Sequence, residues 1–139
     1  MGMDDGRENL RDRALALIVA KPGPLRQGLR ALVSSIPGIE VLGESGDSSS
    51  ALETIGRSRP DLILVDANLP QGDAWRTLRQ TKENWPQIRC VVLTDHGEQH
   101  GEARAANADA VLQKGIPAAL LVQVIERLLP VRGPVVRDR

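Results

Sequence analysis

The sequence predicts an α/β fold: one doubly wound domain in which helices cover both faces of a five-stranded parallel sheet. Three observations predict it. Five short apolar runs alternate with five longer segments of helical periodicity, the signature of repeated strand–helix crossovers. The central run, Asp61-Leu62-Ile63-Leu64-Val65-Asp66, places four consecutive apolar residues between two carboxylates. A run that short and that rich in branched side chains reads as a strand buried on both faces. Polar residues also gather just past the strands, where open sheets of this class place their chemistry.

Each element has its own reason. Residues 1–13 are charged and aperiodic and read as a tail. Ala14 to Ala20 is a first buried strand, and Lys21-Pro22-Gly23-Pro24 is the turn after it. Proline can open a helix, and Leu25, Leu29, Leu32 and Val33 then recur at helical spacing through Ser34. Pro37-Gly38 breaks the chain before a short second strand, Ile39 to Gly43, placed at an edge because it carries Glu40. Asp47 or Ser48 can cap a helix to about Arg57, with Ala51, Leu52 and Ile55 inward. The third strand ends at Asp66. A helix follows from about Gly72 to Trp85-Pro86, with Trp75 and Leu78 as core candidates. Ile88 to Leu93 is the fourth strand, residues 98–106 a weak Ala-rich helix, and Ala110 to Leu112 the fifth strand. Pro117 to Leu129 is the last helix, and a tail occupies 131–139. The domain thus spans 14–130.

Composition excludes several classes. Eighteen basic and eighteen acidic residues cancel, so no bulk field favours nucleic acid or an anionic membrane. The residues after 130 are too few for a helix-turn-helix, and direct nucleic-acid binding by this chain is not expected. The longest apolar run is far too short to span a bilayer, and Met1 to Arg13 lacks a signal-peptide pattern. A single cysteine, Cys90, excludes an internal disulfide and fits a cytoplasmic location. Its apolar surroundings in sequence make it an inert core thiol. With two Trp and no Phe or Tyr, the chain lacks the aromatic platforms of base-stacking proteins.

Five polar residues fall at C-terminal strand ends: Lys21, Asp66, Thr94, Asp95 and Lys114. An aspartate with a hydroxyl and an ammonium nearby suits a phosphoryl acceptor. The carboxylate attacks phosphorus, and the other two hold the transferred oxygens.

At these residues the chain resembles the receiver domains of bacterial two-component response regulators. The matching text is Leu25-Arg26-Gln27-Gly28-Leu29-Arg30-Ala31-Leu32, Pro37-Gly38-Ile39-Glu40-Val41-Leu42-Gly43-Glu44, Pro60-Asp61 through Leu69-Pro70, Val92-Leu93-Thr94 and Leu112-Gln113-Lys114-Gly115. The details look most like receivers that precede a LuxR-type helix-turn-helix domain. The resemblance implies a flavodoxin-like (βα)5 fold with strand order 2-1-3-4-5. It implies that Asp66 is the phosphoacceptor, that Thr94 is a switch hydroxyl and that Lys114 pairs with the phosphoryl group. Asp66 and the Asn68 carbonyl would face a magnesium ion, and Pro70 and Gly72 shape the loop. A sensor histidine kinase is the implied upstream partner.

The sequence also departs from the family pattern. The two acidic metal-binding positions after the first strand read Ala20 and Lys21, the aromatic switch position in the fifth strand is Val111, and the usually small residue after the switch threonine is Asp95. Asp66 against Lys21 and Lys114 gives a pocket of net charge +1, or 0 with Asp95 included. Mg²⁺ needs carboxylate ligands. A lysine at its site repels it by roughly 4 kcal/mol per unit charge at ~4 Å and an effective dielectric of 20. No cofactor is therefore required, and Mg²⁺-dependent phosphorylation is expected to be weak or absent. Lys21 either pairs with Asp66 in place of the cation or points into water. Val111 reads as an ordinary β-branched core residue, with no ring to swing. His96 and His100 lack a third ligand nearby and read as surface residues.

On the last helix Leu121, Val124, Ile125 and Leu128 centre on one face. Ala118, Val122 and Leu129 widen the apolar arc on one side and Leu120 on the other. The family often pairs through its fourth and fifth helices, so a homodimer or partner contact is expected there; alternatively the flanks cover neighbouring loops.

The functional expectation is a signalling module and not an enzyme: an atypical receiver acting by protein–protein contact. The alternative is a conventional phosphoacceptor regulating a transcription output domain. A flavodoxin-type flavin site would need a phosphate-cradling loop, for which Lys21-Pro22-Gly23-Pro24 supplies few donors. A dehalogenase-type phosphatase would need a second acid where Asn68 stands.

Overall fold

A computed structural model describes residues 13–130. Apart from Arg13, the tails read at 1–13 and 131–139 lie outside the described residues. The elements run β1 (Ala14–Val19), α1 (Pro24–Ser34), β2 (Ile39–Ser45), α2 (Ser48–Ser58), β3 (Leu62–Asp66), a 3-10 turn (Pro70–Gly72), α3 (Asp73–Asn84), β4 (Arg89–Thr94), α4 (Gly97–Ala105), β5 (Ala110–Gln113) and α5 (Ala118–Leu128). The strands form one sheet in the order β2-β1-β3-β4-β5, every pair parallel. This is the doubly wound arrangement with order 2-1-3-4-5, and β2 is an edge strand. Expected boundaries move by a residue or two, most at β2, which extends to Ser45 because it pairs with the whole of β1.

Every residue of β3 is buried, as its uninterrupted apolar run requires of a central strand. The side-chain period of two then sorts the sheet into two layers. Ile63, Val65, Cys90 and Val92 pack on one side with Ala51, Ile55, Leu78 and Ala103 of α2, α3 and α4. Leu62, Leu64, Val91 and Leu93 pack on the other with Leu29, Val33, Leu121 and Ile125 of α1 and α5.

Polar residues fasten these layers. Asp47 caps α2, accepting the Ser50 amide at 2.8 Å. The buried Asp73 accepts the Ser48 amide at 3.0 Å and pairs with Arg76 at 3.0 Å, joining the starts of α2 and α3. At the opposite end of the sheet Asp109 accepts the Cys90 amide at 2.7 Å and meets Lys82 at 2.6 Å. Cys90 is buried, and desolvation pushes its thiol up to about 12, so it is an inert core residue, as read from the sequence.

Candidate functional site

The site follows from the same alternation. Leu62 and Leu64 face the α1/α5 layer, and two residues on Asp66 ends β3 with the same orientation. Ala110 and Leu112 of β5 face that layer too, and two residues past Leu112 stands Lys114. The two functional groups meet there, with Lys114 Nζ 2.7 Å from Asp66 Oδ1. The Lys114 amide donates to the Thr94 carbonyl at 2.8 Å, holding the lysine's backbone against β4. Gly115 follows at φ 90°, a left-handed turn that glycine adopts without strain.

Two further residues close the crevice. The Asn68 amide donates to Asp66 Oδ1 at 2.9 Å, so the loop after β3 folds back on its own carboxylate. The Asn68 side-chain amide donates to the Asp95 carboxylate, which also lies 3.3 Å from Lys114 Nζ. Gln99 of α4 completes the strap: its amide donates to Asn68 Oδ1 at 2.6 Å, and its Oε1 accepts the Asp95 backbone N–H at 2.7 Å. The hydrogen bond from Asn68 holds the exposed Asp95 carboxyl below its ordinary value. Desolvation opposes it, and Lys114 adds to the lowering. Asp66, Asn68, Asp95, Gln99 and Lys114 thus form one polar cluster spanning three loops.

Thr94 lies apart from that cluster. Cys90 and Val92 face the α2–α4 layer, and Thr94 keeps their side. Its fully buried hydroxyl is 2.9 Å from His100 Nδ1 and 3.4 Å from the Leu112 carbonyl. His100 is therefore no free surface residue; it is half-buried and bonded to Thr94, whereas His96 is exposed.

Of the two readings of Lys21 at the end of β1, pairing with Asp66 is not formed and pointing into water is. Lys21 is exposed and takes part in no ion pair among the described residues; Lys114 has already neutralised the carboxylate, and leaving water would cost Lys21 its hydration. The cation ordered at this strand end is Arg26. Its Nε donates to the Ala20 carbonyl at 2.9 Å, and its guanidinium stands 3.7 Å from Glu44. A signal for Arg26 exists in the sequence: it sits in the first turn of α1, and helical side chains lean toward the N-terminus and so toward the strand just left. Among the described residues no group of three or more His, Cys, Asp or Glu is arranged to hold a metal ion.

Residues 16–126 match the family model of the response regulator receiver domain. The chain belongs to that family. Among similar proteins are the DNA-binding transcriptional activator DevR/DosR of Mycobacterium tuberculosis, 28% identical over 73% of this chain and 48% of that protein. The nitrate/nitrite response regulator NarL of Escherichia coli K12 is 30% identical over 82% of this chain and 54% of that protein. This chain spans about half the length of both relatives. A two-component response regulator of the LuxR family from Aurantimonas sp. SI85-9A1 superposes with a TM-score of 0.78 at 27% identity, covering 86% of this chain and 88% of that one. The protein is thus a receiver domain of the two-component type, similar to LuxR-family regulators. No helix among its described residues is long and apolar enough to cross a membrane.

One departure from the receiver pattern and the expected α5 contact take structural form. Val111 is half-buried and packs in the α2–α4 layer as an ordinary core residue. The flank of α5 formed by Ala118, Val122 and Leu129 does not look toward α4. Ala118 lines a groove with Leu25 and Gly28 of α1, Leu129 lines another with Ala14 and Ile36, and Val122 packs on the α1/α5 core. Val122 and Leu129 are half-buried against their own neighbours and Ala118 stays exposed at the groove edge, because α1 lies beside α5 on that side of the sheet. The exposed large apolar side chain of α5 is Leu120, 45% accessible, on the opposite flank.

Proposed function

We propose that this receiver signals through protein contact and that Asp66 takes up a phosphoryl group weakly, or not at all, with Mg²⁺. One observation carries the reading: Asp95 lies 3.3 Å from the ammonium that Asp66 holds at 2.7 Å. Lys114 and the Asn68 side-chain amide are donors open to an incoming phosphoryl oxygen, and the Asp95 carboxylate already engages both. That carboxylate is also a like charge against a phosphoryl dianion. On the metal side the donor set does not suit Mg²⁺. Ala20 offers no oxygen from its side chain, Lys21 is a cation, and Arg26 takes the Ala20 carbonyl. Octahedral Mg²⁺ would be left with Asp66 and one backbone carbonyl, Asn68.

The test is intact-protein mass after incubation with acetyl phosphate and Mg²⁺. Wild type is expected to stay unmodified or nearly so, and an Ala20→Asp/Lys21→Asp variant to gain one phosphoryl group that Asp66→Asn removes. Stoichiometric labelling of the wild type overturns the reading.

The short Asp66–Lys114 pair favours a second reading, a conventional phosphoacceptor that regulates a transcription output domain. Phosphotransfer from a cognate sensor histidine kinase separates the two. In either case no catalytic turnover is ascribed to the chain, and any effect on transcription runs through a partner or an output segment. A homodimer formed through the α4–β5–α5 side would rest on Leu120.

A further inference from the structure

α4 is weakly built. It contains Gly97 and Gly101, and its buried residues are Gln99 and Ala103. Glycine inside a helix costs about 1 kcal/mol relative to alanine, and a helix with so small an apolar anchor belongs to the low-stability end of a fold. Two polar side chains therefore matter to its placement. Gln99 is tied to Asp95 and Asn68, and His100 is tied to Thr94. The first tether runs to the loops around Asp66 and the second to the last residue of β4.

We propose that His100 is a positioning residue: it holds the Thr94 hydroxyl against α4, and it is released when Thr94 turns toward an anion bound at Asp66. The claim rests on the receiver reading above and deepens it by naming the residue through which the site is reported to α4. Thr94 keeps the α2–α4 side of the sheet and Asp66 the α1/α5 side, so one rotamer of the side chain does not serve both places. To reach an oxygen on Asp66, Thr94 must leave His100 Nδ1, 2.9 Å away, and the Leu112 carbonyl, 3.4 Å away. The imidazole then loses its hydrogen-bond partner among the described residues, and α4 keeps Ala103 and Gln99 as its buried anchors. Coupling of this kind is reciprocal: whatever weakens the Thr94–His100 bond strengthens anion binding, and a bound anion loosens α4. A net hydrogen bond of ordinary strength corresponds to about a threefold to tenfold change in affinity.

Heteronuclear NMR of the His100 ring and amide exchange along α4 test this in the intact chain. Thr94→Val is expected to shift the His100 ring signals. His100→Ala is expected to speed exchange along α4, and His100→Asn, which places a polar group near the Nδ1 position, to restore part of the protection. Beryllium trifluoride, a phosphoryl mimic, is then titrated with Mg²⁺ into the Ala20→Asp/Lys21→Asp protein. Saturation is expected to move the His100 ring signals toward their Thr94→Val positions, and adding His100→Ala to raise the affinity about threefold to tenfold. Ring signals unmoved by Thr94→Val, or unmoved in the beryllium trifluoride complex, overturn the proposal. If the acidic variant binds no beryllium trifluoride, the assignment of Asp66 as the anion-accepting site is what fails, and the Thr94→Val comparison alone decides the role of His100.

Discussion

Asp66 and Asp95 share one ammonium: Lys114 Nζ lies 2.7 Å from the first carboxylate and 3.3 Å from the second. The arrangement is compact because Asn68 bridges the same two residues, its backbone N–H on Asp66 and its side-chain amide on Asp95. An acceptor carboxylate held this way is ordered but occupied. Its ammonium and its loop amide are both engaged before any ligand arrives.

Removing the second carboxylate is expected to leave Lys114 with a single carboxylate partner and to free the Asn68 side-chain amide. In the Ala20→Asp/Lys21→Asp background, Asp95→Ala should raise affinity for beryllium trifluoride about tenfold, the scale of one charge-assisted hydrogen bond. Titration calorimetry checks this, and an unchanged or weaker affinity counts against Asp95 as a competitor.

The Asn68–Asp95 strap has a defined pH window. The folded-state value of Asp95 lies below the ordinary 3.8, chiefly through the Asn68 hydrogen bond. Its contribution is therefore fully present above that ordinary value and is lost as pH falls through the lower folded-state value. The strap should be intact at neutral pH and open only in strong acid. Carbon-detected NMR of the Asp95 carboxyl should show a midpoint below 3.8, which Asn68→Ala moves back up. A wild-type midpoint at or above the ordinary value contradicts the geometry.

Thr81 is a built-in weakness. Its hydroxyl is buried in α3 with no hydrogen-bond partner among the described residues. Thr81→Val keeps the shape and removes the unpaired polar atom, so stability should rise by about 1 kcal/mol. The readout is a higher urea midpoint with an unchanged slope.

The two flanks of α5 should behave oppositely. Val122 packs on the α1/α5 core, so Val122→Glu should cost about 1–3 kcal/mol of stability. Leu120 is 45% exposed, so Leu120→Glu should change stability by less than about 0.5 kcal/mol and instead weaken self-association, measured by sedimentation. A Val122→Glu protein of wild-type stability would place that flank in solvent.

The fold was legible because its signals are local and periodic. The Leu62–Val65 run, a cap at Asp47 or Ser48 and the breaks at Pro37-Gly38 and Trp85-Pro86 each read directly as structure, and the structure takes Asp47 as the cap. Strand ends were legible too: strand-end position singled out Lys21, Asp66, Thr94, Asp95 and Lys114, of which Asp66, Asp95 and Lys114 come together while Lys21 and Thr94 do not join them. Side-chain choice was not. Lys21 and Arg26 are both cations near the end of β1, and only the packed structure turns Arg26 onto the Ala20 carbonyl and leaves Lys21 in water. The same holds for His100, whose partner depends on how α4 is set against β4, and for the α5 flanks. There the helical period shows an apolar arc but not which neighbour covers each side.

Whether the crevice accepts a divalent ion is the most direct question, and amide NMR during a Mg²⁺ titration answers it. With Ala20 and Lys21 in the metal-side positions and Asp66 held by Lys114, the amides of Asp66 and Asn68 should show no saturable shift at millimolar Mg²⁺. The Ala20→Asp/Lys21→Asp protein should show one. A saturating shift at Asp66 and Asn68 in the wild type, at low-millimolar Mg²⁺, would contradict a crevice that works without the metal.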